Sequence, residues 1–202
     1  MKDNRKKFTW KRLFYSLAGL NLFIVTVLLL MVFAPSPKVE DPDKEFIEEE
    51  AGAEFTVNTT KANLNQLINA YMEKLFKGKR KDYFVTLEDD VQMSGSIKAF
   101  QTEIPISIRL EPIVEENGDM ILKPTNISLG LLQLPNNKVL EYLKKNYPMP
   151  EWITVDPNKE LIYVAVTQME MKSNFKVKVE QFNPKNDAFS FKIKVPNKTL
   201  GL

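Results

Sequence analysis

The sequence predicts an α+β fold: an N-terminal transmembrane helix, then a long helix packed in a curved, mostly antiparallel β-sheet with a second short helix. Three observations carry that expectation. Residues 13–34 form an uncharged, almost wholly apolar run; a stretch after residue 60 repeats apolar residues at helical spacing; and most of the chain beyond residue 82 alternates apolar with polar. Four segments follow: a basic cytoplasmic tail (1–12), the membrane helix (13–34), an acidic proline-containing linker (35–54) and an extracytoplasmic α+β domain (55–202).

Charge is segregated along these segments. Residues 1–12 carry six basic side chains against Asp3, while residues 35–54 carry eight acids against Lys38 and Lys44. The remainder has a net charge of only +3, far too weak for a nucleic-acid footprint. The chain has no cysteine and no histidine. It therefore lacks disulfides, thiolate metal sites, the usual general base near neutral pH, and every Ser-His or Cys-His mechanism.

The 22 residues from Leu13 to Ala34 span about 33 Å as a helix, enough for a hydrocarbon core of about 30 Å. Lysines and arginines immediately before them place the N-terminus in the cytoplasm and the rest outside, in the cell membrane as a single-pass protein. A cleaved signal peptide is the competing reading. The run exceeds a typical signal core, and Pro35 would follow the cut after Ala34. Asn21 and Ser16 are tolerated polar interruptions. The linker, with three prolines and the run Glu48-Glu49-Glu50, reads as a solvated stalk, since consecutive carboxylates splay apart and do not converge on a cation.

In the outer domain, Asn58-Thr59-Thr60 offers capping residues to a helix whose apolar face is Leu64, Leu67, Ile68, Tyr71 and Leu75. Asn65, Gln66, Asn69 and Glu73 make its polar face, and Gly78 stops it. Alternation predicts strands around Tyr83–Leu87, ended by Gly95, and over Ile104, Ile106, Ile108 and Leu110. Asn117-Gly118-Asp119 is a hairpin turn, and Ile127, Leu129 and Leu131 continue a strand that bends at Gly130. A short helix follows Pro135 with Val139, Leu140 and Leu143 inward. Pro148 and Pro150 extend the chain to Trp152. Three strands end the domain: a long one over 161–171, then Phe175–Val179 and Phe189–Val195.

The chain resembles the YpmS family of Gram-positive single-pass membrane proteins. The residues that carry the likeness include Leu64 to Tyr71, Gly95, Leu110 to Val114 with Asn117-Gly118, Ile127 to Gly130 with Leu134-Pro135, and Tyr147 to Trp152. The resemblance implies an architecture and brings no activity with it. In element order the chain is also similar to bacterial tubular lipid-binding proteins, in which a curved sheet around a long helix holds an acyl chain.

A non-catalytic, membrane-anchored protein is the functional expectation, with no cofactor and no metal. Its lipid ligand would lie in an apolar groove lined by Leu64, Leu67, Ile68, Tyr71, Leu75, Ile104, Ile106, Ile108, Leu129 and Leu131. Ordinary core is the plainer account of each such residue taken singly. The alternative is a cell-envelope scaffold that recruits a protein or an anionic wall polymer, the latter through Lys176, Lys178, Lys192 and Lys194. For an enzyme only carboxylate pairs or a Ser-Lys dyad would remain, and neither Asp89-Asp90 nor Glu115-Glu116 is placed to flank a bond.

Overall fold

The computed structural model describes residues 10–33, 51–76, 83–99, 102–147, 149–169, 171 and 174–200. Its first unit is one helix, α1 (Trp10–Phe33). The window Leu13–Leu30 has a mean hydropathy of 2.2 and no buried side chain, so the helix is long and apolar enough to cross a membrane. Asn21 Nδ2 donates to Leu17 O at 2.9 Å and Thr26 Oγ1 to Leu22 O at 2.8 Å. Each polar side chain thus returns a donor to its own helix, as a helix crossing lipid would require.

The second unit runs β1 (Gly52–Thr59), α2 (Lys61–Phe76), β2 (Phe84–Leu87), β3 (Val91–Ala99), β4 (Thr102–Val114), β5 (Met120–Leu129) and β6 (Leu132–Gln133). It continues through α3 (Asn136–Asn146), β7 (Ile153–Asp156), β8 (Leu161–Val164), β9 (Lys176–Asn183) and β10 (Ala188–Pro196). The described strands form two sheets, β1-β10-β9 and β2-β3-β4-β5-β8-β7, with β6 added beside β5. Every described pairing is antiparallel. The fold is α+β, as the patterning indicates.

Helix α2 starts where Thr60 Oγ1 accepts from Asn63 N–H at 3.4 Å, a side-chain cap. Asp187, in the β9–β10 turn, accepts from Lys61 N–H at 2.5 Å and adds a negative charge at the positive end of the helix. The helix then lies rotated from the expected face. Its inward stripe is Leu64, Asn65, Ile68, Asn69 and Met72, whereas Leu67 is 65% exposed. Asn65 and Asn69 do not face solvent. Asn69 Oδ1 accepts from Val85 N–H (2.9 Å), its Nδ2 donates to Val85 O (2.6 Å), and Asn65 Oδ1 accepts from Leu87 N–H (2.7 Å). Two side-chain amides one helical turn apart therefore stand in for a neighbouring strand along the edge of β2.

Other expectations also change. Strand β3 runs straight through Gly95, which sits opposite Ile106, because pairing to β4 carries it past the missing side chain. The strand expected over 161–171 stops at Val164. Ala165 N–H turns to Trp152 O at 2.8 Å and Thr167 N–H to Asp119 Oδ1 at 2.9 Å, so the chain leaves the ladder as a 3-10 turn, Val166–Gln168. Leu131 is not in a strand. Gly130 takes φ +60°, donates to Pro105 O at 2.7 Å, and reverses the chain into β6. Strand β1 occupies residues read as linker and cap; residues 35–50 of the linker, residues 1–9 of the basic tail and Gly78 lie outside the described residues, while Trp10, Lys11 and Arg12 already belong to α1.

Two apolar clusters fill the domain. One joins Leu64, Val85, Leu87, Ile108, Ile127 and Phe189; the other joins Met120, Val164, Val166 and Val179. Leu122, Ile162, Phe182 and Phe191 pack against both, so the small sheet closes over the large one. The Asn117-Gly118 turn locks this contact. Val179 N–H donates to Gly118 O at 2.9 Å, and a Cβ on Gly118 (φ +89°) would lie 2.6 Å from Lys178 Cβ. Only glycine fits there.

Candidate functional site

The groove candidates fall into three surroundings. Leu64 and Ile108 belong to the first core cluster, with Ile68 and Ile106 partly buried against it. Tyr71 is half-buried with its ring centroid 5.7 Å from that of Trp152. Ile104 and Leu129 are half-buried toward the Gly130 turn, while Leu67 and Leu131 are exposed. The side chain of Leu75 lies outside those described. A surface hollow of about 290 Å³ is lined by Thr125, Asn126, Gln133 and Asn136 beside Ile127 and Leu134; none of the ten candidates borders it. Its polar lining suits water better than an acyl chain.

What the surface presents instead is a set of large apolar side chains. Leu131 is fully exposed and its neighbour Leu132 is 64% exposed, at the tip of the β5–β6 turn. Phe55 (54%) and Val57 (41%) stand out from β1, and pair directly with Ile193 and Phe191 on the same face of the small sheet. Neither Phe55, Val57 nor Leu132 is among the sequence candidates. The signal was present for the first two, since Phe55 and Val57 alternate with Glu54, Thr56 and Asn58.

The polar face of the same sheet carries the lysines. Lys192 lies opposite Lys178 and Lys194 opposite Lys176. Lys192 is not a bare cation: its Nζ is 3.3 Å from Glu180 and 3.7 Å from Glu54. Hydrogen bonds from Ser190 and then Lys192 hold the Glu180 carboxyl below the usual range, and Glu180 in turn raises the lysine. Arg109, raised by its bond to Asp90 (2.8 Å), likewise makes a local pair that joins β4 to the β2–β3 turn.

The most buried group of polar side chains is built around Asp119, which is 2% exposed. Its Oδ2 accepts from Tyr163 Oη (2.5 Å) and Asn117 Nδ2 (2.8 Å), and its Oδ1 accepts from Thr167 N–H. Asn117 Oδ1 closes the ring by accepting from Asp119 N–H at 2.9 Å. Burial first, and the bond to Asp119 second, push the Tyr163 phenol up to about 12. Both oxygens of the carboxylate are engaged within the protein and the phenol stays protonated. This arrangement ties the hairpin turn to β8 and the following 3-10 turn, and holds no group poised to attack or to exchange a proton.

An apolar helix of membrane-spanning length ahead of an antiparallel α+β domain defines the class to which this chain belongs. The chain is a member of the DUF2140 family, described as an uncharacterized protein conserved in bacteria, whose pattern matches residues 9–195. It is 35% identical over 182 residues to "Uncharacterized protein YpmS" of Bacillus subtilis (strain 168), covering 90% of this chain and 95% of that one. The family likeness read from the sequence is thereby met. No solved structure matches the chain.

Proposed function

We propose that this is a single-pass membrane protein, N-terminus inside, whose outer domain is a non-catalytic recognition module of the cell envelope that engages a protein partner through exposed apolar side chains. The observation that carries the reading is the placement of Leu131 and Leu132. Two large side chains stand in solvent at the tip of a tight turn, while Leu87, Ile127 and Leu140 are fully buried. Exposed apolar patches of this kind mark interaction sites. Of the four lysines on the polar face of the small sheet, Lys192 is engaged by Glu180 and Glu54, which weakens the case for a wall polymer as the ligand.

A photo-crosslinking residue at position 131 of the full chain, expressed in its membrane, tests this. A discrete protein adduct is expected at 131, absent from the exposed turn residue Lys185 and lost on Leu132→Asp. Equal labelling at 131 and 185 refutes it. A second reading, carriage of an acyl chain, draws on the half-exposed apolar face shared by Phe55, Val57, Phe191 and Ile193. Native mass spectrometry of the full chain released from native membranes separates the two. A stoichiometric lipid mass that survives detergent exchange supports carriage, and a bare protein mass removes it.

A further inference from the structure

Besides the two-residue β6, the described sheets have four outer strands, and three of these are guarded by identifiable devices. The edge of β2 is taken by Asn65 and Asn69 of α2. Strand β7 is only four residues long and lies against α3. Strand β9 carries Lys176, Lys178 and Glu180, gives its Val179 N–H to Gly118, and lies against β4 and the 3-10 turn. These are the recognised means of keeping a sheet edge from pairing with another chain. Among the described residues strand β1 has none of these beyond a single charge. It is eight residues long, has one charged side chain (Glu54), no proline and no lysine, and is exposed over Glu54–Asn58. Among the described residues its outer edge meets no other strand.

We propose that β1 pairs edge to edge with β1 of a second copy, antiparallel and centred on Thr56, so that the small sheets of two copies join into one. This rests on the reading of the outer domain as a recognition module and names one of its partners. The sequence of β1 selects the occupant. Two identical strands related by a two-fold axis match backbone groups only when paired residues have the same parity, which also keeps them on one face. Centred on Thr56, Phe55 lies opposite the second copy's Val57, and Val57 opposite its Phe55. Glu54 then faces Asn58, and Thr56 faces itself. Aromatic against β-branched and threonine against threonine are favourable cross-strand pairs, and no like charges oppose. The strand is self-complementary, as an isologous interface requires. Pairing also covers the two exposed apolar side chains that β1 otherwise holds in water.

The natural chain has no cysteine, so Thr56→Cys introduces a unique thiol. The full-length variant is oxidised in its membrane with copper–phenanthroline and compared with Lys185→Cys, which sits in the exposed β9–β10 turn. The thiols of two copies paired at residue 56 come within disulfide reach. Disulfide dimer is expected at least about tenfold faster at 56 than at 185. Adding Phe55→Thr, or separately Val57→Lys, is expected to bring the rate at 56 down to that at 185. Phe55→Thr keeps a good strand former and removes only the ring, so a folding defect in the lysine variant leaves the test intact. Equal rates at 56 and 185, or a rate at 56 that neither second change lowers, overturns the proposal. Should that happen while position 131 still captures a specific protein, the pairing of copies falls and the recognition module stands.

Discussion

If α2 serves as a surrogate strand, replacing its two asparagines should destabilise the domain in proportion to the bonds each makes. Asn69 makes two bonds to the backbone of Val85 and Asn65 makes one to Leu87. Each such bond contributes about 1 kcal/mol net, and a partly buried backbone group left without a partner costs about 1 kcal/mol or more. Against this, alanine is favoured over asparagine in a helix by about 0.5 kcal/mol. Asn69→Ala should therefore cost about 2–3 kcal/mol and Asn65→Ala about 1 kcal/mol. Gln66→Ala, on the exposed side, should stay within about 0.5 kcal/mol. Urea unfolding of the full chain in mild detergent, followed by the fluorescence of Trp152 in a Trp10→Phe background, reads these differences. The order Asn69, Asn65, Gln66 is the signature. Equal and small effects at all three would show that β2 does not depend on the amides.

Two further outcomes follow from the interior. The Tyr163 phenol is held up to about 12 in the folded chain against about 10 unfolded, so its contribution is complete below pH 10 and is lost as pH rises toward 12. The wild type should lose up to about 2–3 kcal/mol more than Tyr163→Phe across that window, and parallel pH profiles of the two would contradict a phenol raised by burial and by its bond to Asp119. Leu140 is fully buried whereas Leu67 is 65% exposed, although both are leucines on helices. Leu140→Ala should cost about 2–5 kcal/mol and Leu67→Ala well under 1 kcal/mol by thermal unfolding; similar costs would restore Leu67 to the core.

That last contrast shows where the sequence stops being legible. Apolar residues at positions 64, 67, 68, 71 and 75 establish a helix, because a 3.6-residue period needs no knowledge of the neighbours. They do not establish its rotation. The rotation of α2 is set by Asn65 and Asn69 meeting backbone groups some twenty residues away, and asparagines on a helix read alone as solvent-facing. Strand β4 and the Asn117-Gly118 turn were legible because alternation and turn chemistry are local. Strand β1 was masked by its setting between an acidic stretch and a helix cap, and its pairing with β10 joins residues 130 or more positions apart. The end of β8 depends on Asp119 drawing Thr167 N–H out of the ladder. The candidate groove residues divide for the same reason: Leu64, Ile68, Ile106 and Ile108 share one cluster while Leu67 and Leu131 are exposed, and only the rotation of α2 and the reversal at Gly130 decide which of them meet.

An open edge is a hazard for a freely diffusing protein, since any unpaired strand it encounters can add to it. A membrane anchor, as proposed above, would change that balance. If the apolar helix is the anchor proposed above, the chain between Phe33 and Gly52 could extend at most about 65 Å, so partners of β1 or of the Leu131–Leu132 tip would be met near the same membrane. An eight-residue edge and a two-leucine tip are each small beside the roughly 1,200–2,000 Å² that holds stable complexes together in solution. Confinement raises the local concentration of partners toward the millimolar range for short tethers, enough for weak surfaces to be occupied. On that reading the exposed residues and the apolar helix account for each other. Surfaces this small function only where the partner is held nearby, and a chain so held can leave one edge unguarded without exposing it to the whole population of extended peptides in solution.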